Sequence, residues 1–340
     1  MRPALNGSWR RFGWSGAAML LLSVAALSLV VSAQNAPLTL VSTAWPPFTG
    51  TPGQPRFALD LVETGLSRLG YTATTGIVEA AKFNEALLTG PFDGSAAAWR
   101  DQERERVLLY SQPYLQNRLV LVGRAGADVS AKTLADLKGR RVAIVEGYSY
   151  GETIDNAGPT FVRSSSEEDS LSRLLKGGAD YTLMDELVVQ HVISSYPKES
   201  ETRLEIGTIP LVTRDLYLAV RRTRVDAESI IKGFNAQLRG MISDRTYHRL
   251  LHVDWIMADV NGDGTEEFVP ASDQAGPLEP QRAYSLFSGT ATLTPNSEKP
   301  GFYVGGNIYS DWASVPQTYK ANSDRPDPRR STASIFKFTW

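Results

Sequence analysis

Two stretches of the chain alternate short apolar strand-like segments with amphipathic helical segments, and this alternation constrains the fold most strongly. In the first stretch, residues 38–43 (LTLVST) are β-branched and apolar, and residues 57–69 carry leucine and valine at helical spacing before Gly70. In the second, a strand-like segment at residues 141–145 precedes a helical segment that follows Ser164. Such alternation is typical of helices layered on a sheet, so the predicted fold class is α/β.

Further elements follow from the same two periodicities. We expect strands or short buried stretches at residues 72–78, 92–98 and 181–184, and helices at residues 83–88, 133–138 and 226–242. Asp226 is the expected N-cap of the last helix. Ser164 and Glu167 form the expected capping box of the helix that follows Ser164.

Two strand-like segments about a hundred residues apart define the domain organisation. They are NRLVLVGR at residues 117–124 and DLYLAVRR at residues 215–222, and they bracket the second α/β stretch. We therefore predict two lobes. Lobe 1 comprises residues 37–124 and 213–257, lobe 2 comprises residues 125–212, and the two strands are their only covalent connection.

The first 33 residues have the pattern of a secretory signal peptide. Arg2, Arg10 and Arg11 precede an uncharged run at residues 17–31, and the run ends at a Val-Ser-Ala cleavage pattern. The run is shorter than the roughly 20 residues that span a bilayer, which favours a cleaved signal over an uncleaved anchor. We expect Sec export, cleavage after Ala33 and a periplasmic mature protein.

The last eighty residues differ in character from the rest. Residues 271–340 are rich in Gly, Pro, Ser and Asn, with isolated strand-like pieces at residues 283–287, 302–304 and 334–340. Residues 322–332 are polar and charged and are expected to form a flexible loop. We predict that residues 258–340 form a small, irregular β extension.

Composition excludes several classes of function. The chain has 35 Lys and Arg against 37 Asp and Glu, so its net charge of −2 offers no general attraction for nucleic acid. It has no cysteine, which excludes disulfides, thiolate metal sites and a cysteine nucleophile. His248 and His252 have a spacing of four that suits a metal, but no HExxH glutamate accompanies them, so we expect no metal there.

Five segments occur in the order found in a known family. They are TLVSTAWPPFTG (39–50), FDGSAAAWRDQERERVLLYSQPY (92–114), TLADLKGRRVAIVEGYSYG (133–151), YTLMDE (181–186), and LYLAVRR (216–222) followed by FNAQLRGMISDRTYHRLL (234–251). Over about residues 38–255 the chain resembles the periplasmic solute-binding proteins of amino-acid ABC importers, of the type II, family 3 kind.

This resemblance implies a two-lobed α/β fold of the periplasmic-binding-protein type with two crossover hinge strands. It implies a binding protein, not an enzyme, that captures an amino-acid-like small molecule by hinge closure and presents it to the membrane subunits of an ABC importer. The expected protein is a monomer that needs no cofactor for function and binds no nucleic acid.

Arg104 is the main candidate for ligand recognition. It lies in the charged run 100–106, which by itself is typical of a solvated helix face. A guanidinium can hold an α-carboxylate with two parallel N–H groups, whereas lysine offers only a point charge. The resemblance places the family's carboxylate-binding arginine at Arg104.

Three residues of lobe 2 are further candidates. The glycine-flanked turn at residues 147–151 has free backbone N–H groups, and the resemblance gives the Ser149 hydroxyl and the Tyr150 amide a role in holding the same carboxylate. Asp185 follows a predicted strand, where it can pair with a ligand ammonium or cap the helix that begins at Glu186. The resemblance places the family's ammonium-binding acid at Asp185.

Aromatic residues complete the candidate site. Trp45, Phe48 and Trp99 are core residues or pocket walls, and the resemblance favours ligand contact for Trp45 and Trp99. The chain departs from the family pattern at Asp101-Gln102, where relatives commonly have threonine. An acid there either repels an anionic ligand head or neutralises Arg104 and favours a cationic ligand.

The start of the extension carries a calcium-loop pattern. Oxygen-bearing side chains occupy positions 1, 3, 5 and 9, a Gly occupies position 6, and a backbone carbonyl lies at position 7; the candidate ligands are Asp259, Asn261, Asp263, Thr265 and Glu267. Position 12 is Pro270, so the loop is not an EF-hand and looks like the shorter loops of integrin-type repeats. The alternative to structural Ca²⁺ is a metal-free Asn-Gly, Asp-Gly turn.

Two other functions remain open from the sequence. Some relatives use the same scaffold as a dehydratase or a peptidoglycan-cleaving enzyme, which needs a cleft acid with a raised pKa, and Asp101, Glu103 and Glu146 are the candidates. Alternatively, the chain is a sensor or adhesin in which residues 258–340 bind the partner.

Overall fold

The computed structural model describes residues 35–151, 154, 158–251, 255–261, 263–271, 284–285 and 300–320. The predicted signal peptide, the predicted loop at residues 322–332, the predicted strand at residues 334–340 and His252 lie outside the described residues. Among those described, no helix is long and apolar enough to cross a bilayer.

The mixed α/β fold class is confirmed. The strands of the large sheet are β1 (Leu38–Thr43), β2 (Ala73–Val78), β3 (Gly94–Trp99), β4 (Leu108–Tyr110), β5 (Leu115–Arg124), β6 (Arg141–Val145), β7 (Thr160–Ser164), β8 (Tyr181–Asp185) and β9 (Leu204–Arg221). The helices are α1 (Phe57–Arg68), α2 (Phe83–Leu88), α3 (Gln102–Glu105), α4 (Glu167–Leu175), α5 (Glu186–Ser195), α6 (Pro197–Arg203), α7 (Ala227–Ser243) and α8 (Thr246–Leu251).

The large sheet has the order β2-β1-β3-β9-β5-β8-β6-β7, and β4 pairs with β9. On the lobe 1 side, β1 pairs in parallel with β2 and β3. On the lobe 2 side, β6 pairs in parallel with β7 and β8. Each lobe therefore contains a set of parallel strands. The carboxyl ends of such strands are where binding sites of α/β proteins occur.

Strands β5 and β9 connect the two sides. The end of β9 pairs with β3 and β4 of lobe 1, and its earlier part pairs with β5, whose other neighbour is β8 of lobe 2. The prediction that this strand begins at Asp215 is wrong, since it begins at Leu204. Gly207 and Pro210 are unfavourable in strands, so the sequence does not indicate a strand there. The register is irregular around Val120, which pairs with Pro210, and this irregularity accommodates both residues.

Helix termini differ from the predictions in two places. Helix α4 is capped by Ser166, whose hydroxyl accepts a hydrogen bond from the Asp169 amide, so the predicted capping box of Ser164 and Glu167 is wrong. The reason is that three consecutive serines compete as caps, and the structure uses the last one. The predicted helix at residues 133–138 is a 3₁₀ turn, Leu134–Leu137, with a capping box of Thr133 and Asp136.

The core of lobe 1 forms where α1 and α7 pack on each other. Phe234 on α7 is fully buried, and its ring lies against Gly65 on α1. A Cβ atom at Gly65 would lie 2.8 Å from that ring, so the helices approach closely only because residue 65 is glycine. Leu66 and Leu238 extend the same buried seam.

The described residues from Trp255 onward include a second sheet. Its strands are β10 (Trp255–Ala258), β11 (Glu267–Pro270), β12 (Tyr284–Ser285), β13 (Phe302–Val304) and β14 (Asn307–Tyr309), in the order β12-β10-β11-β13-β14. The β extension is therefore more regular than predicted, because its short strands pair with one another. Val269 belongs to the main hydrophobic core, and its carbonyl lies 3.1 Å from His248 Nε2 of α8, so the extension is packed on lobe 1.

Candidate ligand-binding site

A small cavity of about 30 Å³ lies where the two lobes meet. It has room for about two water molecules. Lobe 1 supplies most of its walls, and lobe 2 supplies the turn that follows β6. The lining residues are Ser42, Thr43, Trp45, Phe83, Ala97, Trp99, Arg104 and Leu216 from lobe 1, and Gly147, Tyr148 and Ser149 from lobe 2. Strands β1, β3 and β6 all end at this cavity, as expected for a site at the carboxyl ends of parallel strands.

Arg104 is buried in the cavity wall, with 2% of its surface exposed. Its Nη1 donates to the Trp99 carbonyl at 2.8 Å, and Nε and Nη2 both donate to Asn84 Oδ1. The ring of Phe83 lies 5.3 Å from the guanidinium carbon. Burial lowers the pKa of the guanidinium, and the Asp101 carboxylate acts in the opposite direction. Arg104 is therefore not part of a solvated helix face, unlike its exposed neighbour Arg106.

Asp101 joins the two lobes. Its Oδ1 caps α3 by accepting from the Arg104 amide at 2.9 Å, and its Oδ2 lies 3.2 Å from Arg104 Nε. The same Oδ2 accepts a hydrogen bond of 2.7 Å from the Ser149 hydroxyl of lobe 2. The acid at this position thus partly neutralises Arg104 and holds the lobes together at the cavity.

Gly147 brings the backbone of lobe 2 against lobe 1. Its φ of +83° lies in the left-handed region, and a Cβ atom there would lie 2.5 Å from the Ala80 carbonyl oxygen. Any other residue would both strain this turn and collide with lobe 1. Gly147 therefore permits the close approach of the two lobes seen here.

Three aromatic rings meet at the cavity. Trp45 and Trp99 of lobe 1 and Tyr148 of lobe 2 form a triangle in which every pair of ring centroids is 5.6 Å apart. Tyr150 also contacts Trp99, with centroids 5.5 Å apart. Such edge-to-face contacts add about 0.5–1.5 kcal/mol per pair beyond area burial, so the rings favour the closed arrangement.

Phe48 lies outside the cavity wall. It is fully buried between Trp45 and Phe57, with ring centroids 4.3 Å and 4.9 Å away, so it packs behind Trp45.

Tyr150 makes its polar contacts within lobe 2. Its amide donates to the Tyr148 carbonyl at 3.1 Å, and its hydroxyl accepts from the Val145 amide at 2.9 Å.

Asp185 is buried at the N-terminus of α5, beside the crossing strand β5. Its Oδ1 accepts from the Leu187 amide at 2.7 Å, and its Oδ2 accepts from Asn117 Nδ2 and the Arg118 amide, each at 3.0 Å. Asn117 in turn accepts from Trp99 Nε1 at 2.7 Å, which links Asp185 to the cavity wall. Burial raises the pKa of Asp185 to about 7, against the effect of these donors. Asp185 therefore caps α5. It contacts the cavity-lining Trp99 only through Asn117.

Glu167 is a second buried acid near the cavity. Burial raises the pKa of its carboxyl to about 8, and the neighbouring Glu168 and Asp185 act in the same direction. The Trp45 indole faces this carboxyl and lowers its pKa, although the geometry falls short of a hydrogen bond. Within the described residues, Glu167 Oε2 has no hydrogen-bond partner.

An open groove lies on the outer side of the aromatic rings. Its volume is about 660 Å³, and it is lined by acids and arginines from both lobes, including Asp101, Glu103, Arg163 and Arg214. Arg214 lies over the Trp99 ring, with 5.9 Å from the guanidinium carbon to the ring centroid. The groove is the solvent side of the cavity.

The calcium-like loop forms the turn between β10 and β11. Its side-chain oxygens accept from backbone amides of the turn itself: Asp259 from Gly264 at 2.9 Å, Asn261 from Asp263 at 2.9 Å, and Asp263 from Thr265 at 2.8 Å. Glu267 is buried and accepts from the Val260 amide at 3.1 Å. Among the described residues, no group of three or more His, Cys, Asp or Glu side chains is arranged to hold a metal ion.

Comparison of the sequence with known protein families identifies the family of this chain. Residues 39–257, more than half of the chain, match bacterial extracellular solute-binding proteins, family 3. The chain belongs to this family. The segment matched coincides with the two lobes and excludes the extension, so the predicted resemblance is confirmed for the part that forms the cavity.

Individual relatives are similar over part or all of their length. The chain is 24% identical over 150 residues to ABC transporter arginine-binding protein 1 of Escherichia coli (strain K12), covering 44% of this chain and 59% of that protein. It is 23% identical over 240 residues to a protein of the same organism named provisionally as ABC transporter arginine-binding protein 2, covering 67% of this chain and 93% of that protein.

Solved structures show the same two-lobed architecture. A mutant of ArgBP from T. maritima has a TM-score of 0.53 at 25% identity, covering 64% of this chain and 93% of that chain. An ancestral arginine-binding protein bound to arginine has a TM-score of 0.55 at 22% identity, covering 64% and 98%. At these identities the second likeness shows the fold alone.

One relative is an enzyme. Membrane-bound lytic murein transglycosylase F of Saccharophagus degradans is 30% identical over 104 residues, which covers 28% of this chain and 21% of that protein. The acids that the enzyme alternative requires are not arranged for acid catalysis: Asp101 pairs with Arg104, and Glu103 and Glu146 are exposed. The family and its matched structures are those of binding proteins.

Several residues of the site were not predicted from the sequence. Tyr148, Asn84 and Asn117 complete the contacts of the predicted residues, but each does so with a partner far away in the chain. Tyr148 was the most accessible to prediction, because it lies in the same glycine-flanked turn as Ser149.

Proposed function

We propose that this protein captures a small molecule with an amino-acid head group between its two lobes and presents it, outside the cytoplasm, to the membrane subunits of an ABC importer. The observation that carries the proposal is the cavity at the lobe boundary, with Arg104 in the wall from lobe 1 and the Ser149 hydroxyl in the wall from lobe 2.

Arg104 is the proposed partner of the ligand carboxylate. A guanidinium carries five N–H groups. The internal hydrogen bonds of Arg104 within the described residues use Nε–H and one N–H on each terminal nitrogen, which leaves one N–H on Nη1 and one on Nη2. Two N–H groups on neighbouring nitrogens are what a bidentate contact to a carboxylate needs. The carboxylate would compete with Asp101 for Ser149.

Asp185 is the proposed partner of the ligand ammonium. Each carboxylate oxygen can accept more than one hydrogen bond, so the existing donors do not exhaust Asp185. A cation placed beside this buried carboxyl would favour its ionised form. Trp45 and Trp99 form the proposed walls around the ligand body.

Lobe closure would supply the signal that an importer reads. A ligand that contacts both lobes binds the closed form more tightly, so it shifts the open–closed equilibrium by that difference in affinity. The crossing strands β5 and β9 are the proposed hinge. Since two relatives are named as arginine-binding proteins of ABC transporters, arginine belongs among the first ligands to test.

Calorimetric titration of the mature protein with a panel of L-amino acids tests the proposal. At least one is expected to bind, and Arg104→Lys is expected to weaken that binding by more than tenfold, because a bidentate contact becomes a point contact. Arg106→Lys, at an exposed neighbour, is the control and should leave affinity unchanged. Equal affinities for wild type and Arg104→Lys would remove Arg104 from the binding site.

A further inference from the structure

We propose that the outer groove is a second binding site, which takes an oxyanion, a carboxylate or phosphate group of a small molecule, with Arg214 as its main partner. The groove is separate from the cavity, and the two share only Tyr148 and Ser149 among their lining residues. The inference therefore goes beyond the proposed function and does not depend on it.

The groove has the size of a ligand site. Its volume of about 660 Å³ lies within the roughly 300–1,000 Å³ of small-molecule pockets. Lobe 1 contributes residues 100–103 and Arg214 to its walls, and lobe 2 contributes residues 148–151, Ile154 and Arg163. A ligand that fills the groove therefore contacts both lobes.

Arg214 has unused hydrogen-bond donors. A guanidinium carries five N–H groups. Within the described residues, the only hydrogen bond of Arg214 runs from Nη2 to the Arg100 carbonyl, and Nε is buried without an acceptor. Nη1 and Nη2 each keep an N–H group, and two N–H groups on neighbouring nitrogens are what a bidentate contact to a carboxylate or phosphate needs.

Contacts on two sides hold the Arg214 guanidinium in place. Its carbon lies 5.9 Å from the centroid of the Trp99 ring, within the range of a cation–π contact. Nη1 lies so close to Gly151 of lobe 2 that a Cβ atom there would be 2.9 Å away. Because the guanidinium is already ordered, binding an anion costs little additional side-chain entropy.

The acid nearest to the two buried guanidiniums of the site is shared between them. Burial lowers the pKa of Arg214, and the Asp101 carboxylate acts in the opposite direction. The same carboxylate pairs with Arg104, whose pKa is lowered by burial and also by Arg214. Two arginines thus share one acid, and a ligand oxyanion would supply a second negative charge.

The other charged residues of the groove leave a positive excess. Arg163 on β7 adds a positive charge from lobe 2, and Glu103 on α3 adds a negative charge from lobe 1; both side chains are exposed. Arg100 also lines the groove and forms an ion pair with Glu105. Since Asp101 is engaged by Arg104, Arg163 and Arg214 together outweigh Glu103, which favours an anionic ligand.

Calorimetric titration with succinate, with inorganic phosphate and with the neutral diamide of succinate tests the proposal. The two anions distinguish a carboxylate site from a phosphate site, and neither has the amine of an amino acid. The proteins are wild type, Arg214→Gln, Glu103→Gln and the control Arg239→Gln, which removes a positive charge at an exposed position of α7. Arg163→Gln, also at an exposed position, repeats the test if Arg214→Gln does not fold.

Wild type is expected to bind at least one of the two anions and not the diamide. Arg214→Gln should weaken that binding by about tenfold or more, the scale of hydrogen bonds to a charged group. Arg163→Gln should weaken it less, and Glu103→Gln should strengthen it by up to about fivefold, because a like charge is removed from the groove. Arg239→Gln should bind as wild type does. A general disturbance of the fold would not weaken binding in one variant and strengthen it in the other.

Two results would overturn the inference. They are the absence of binding of both anions to wild type, and equal affinities of wild type, Arg214→Gln and Arg163→Gln. Either result leaves the proposed function standing if amino acids bind in the titration described above. If the anions bind as expected but no amino acid does, the proposed function fails and the groove site remains.

Discussion

The buried carboxyl of Glu167 predicts that stability decreases as the pH rises. In the unfolded chain its pKa is near the ordinary 4.5, and burial raises it to about 8 in the folded protein. Below about pH 4.5 the group is neutral in both states and costs nothing. Between these two values the folded state binds the extra proton, so the free energy of unfolding falls with rising pH and levels off above about pH 8.

The magnitude follows from the same two values. Each unit of difference in pKa corresponds to about 1.4 kcal/mol, so the full effect is on the order of 5 kcal/mol as an upper limit. Glu167→Gln removes the titrating group and keeps the shape. Its buried amide costs a roughly constant 1–3 kcal/mol at every pH, so the pH dependence, and not the absolute stability, is the quantity to compare.

Guanidinium unfolding at pH 5, 7 and 9 measures this dependence. Wild type should lose several kcal/mol of unfolding free energy between pH 5 and pH 9. Glu167→Gln should lose less, and its remaining loss comes from the buried Asp185, whose pKa is raised to about 7. Glu168→Gln, one position along the same helix and only half-buried, is the matched control and should behave as wild type. An identical pH dependence in Glu167→Gln and wild type would refute the assignment of a buried, neutral Glu167.

Two further predictions concern Asp185 and the loop of the extension. Asp185→Asn should lose more affinity for a ligand with a free amine than for its deaminated analogue, as measured by calorimetry; equal losses would leave Asp185 with the helix-capping role alone. Millimolar Ca²⁺ should raise the melting temperature if the loop at residues 259–267 binds it, because the ion offsets repulsion among Asp259, Asp263 and Glu267. Asp263→Ala should abolish that rise, and a melting curve insensitive to both Ca²⁺ and chelator would leave a metal-free turn.

Local patterns predicted the elements whose sequences agree with their final structure. Residues 38–43, 83–88 and 141–145 form the elements expected at those boundaries, because apolar spacing and flanking turn residues act together there. For strand β9, the sequence predicted only the part from Asp215 onward. Gly207 and Pro210 lower its strand propensity, and pairing with β5, which no local pattern reports, overrides that preference.

The sequence predicted individual residues of the site but not the contacts between them. Arg104 and Ser149 could be singled out from short motifs, but their link through Asp101 depends on two segments almost fifty residues apart. Glu167 was assigned to a cap because serine followed by glutamate three residues later is a common signature. The competing Ser166 directs Glu167 into the interior instead, where burial changes its chemistry.

The contribution of Tyr148 depends on tertiary contact in the same way. Its ring packs on two tryptophans of lobe 1, which are about fifty or more positions away in the chain and lie opposite the turn of lobe 2. In the sequence it is one aromatic residue in a glycine-flanked turn, and nothing local separates it from an exposed tyrosine.

Distance measurement between two spin labels tests lobe closure most directly. The chain has no native cysteine, so Glu103→Cys and Arg163→Cys, at exposed positions on opposite lobes along the outer groove, give a unique labelled pair. A bound amino acid should shift the distance distribution towards its shorter component, while a control pair within lobe 1, Glu103→Cys with Lys232→Cys, should stay unchanged. A ligand that binds with calorimetric heat but leaves the Glu103–Arg163 distribution as it was would contradict binding by closure of the two lobes.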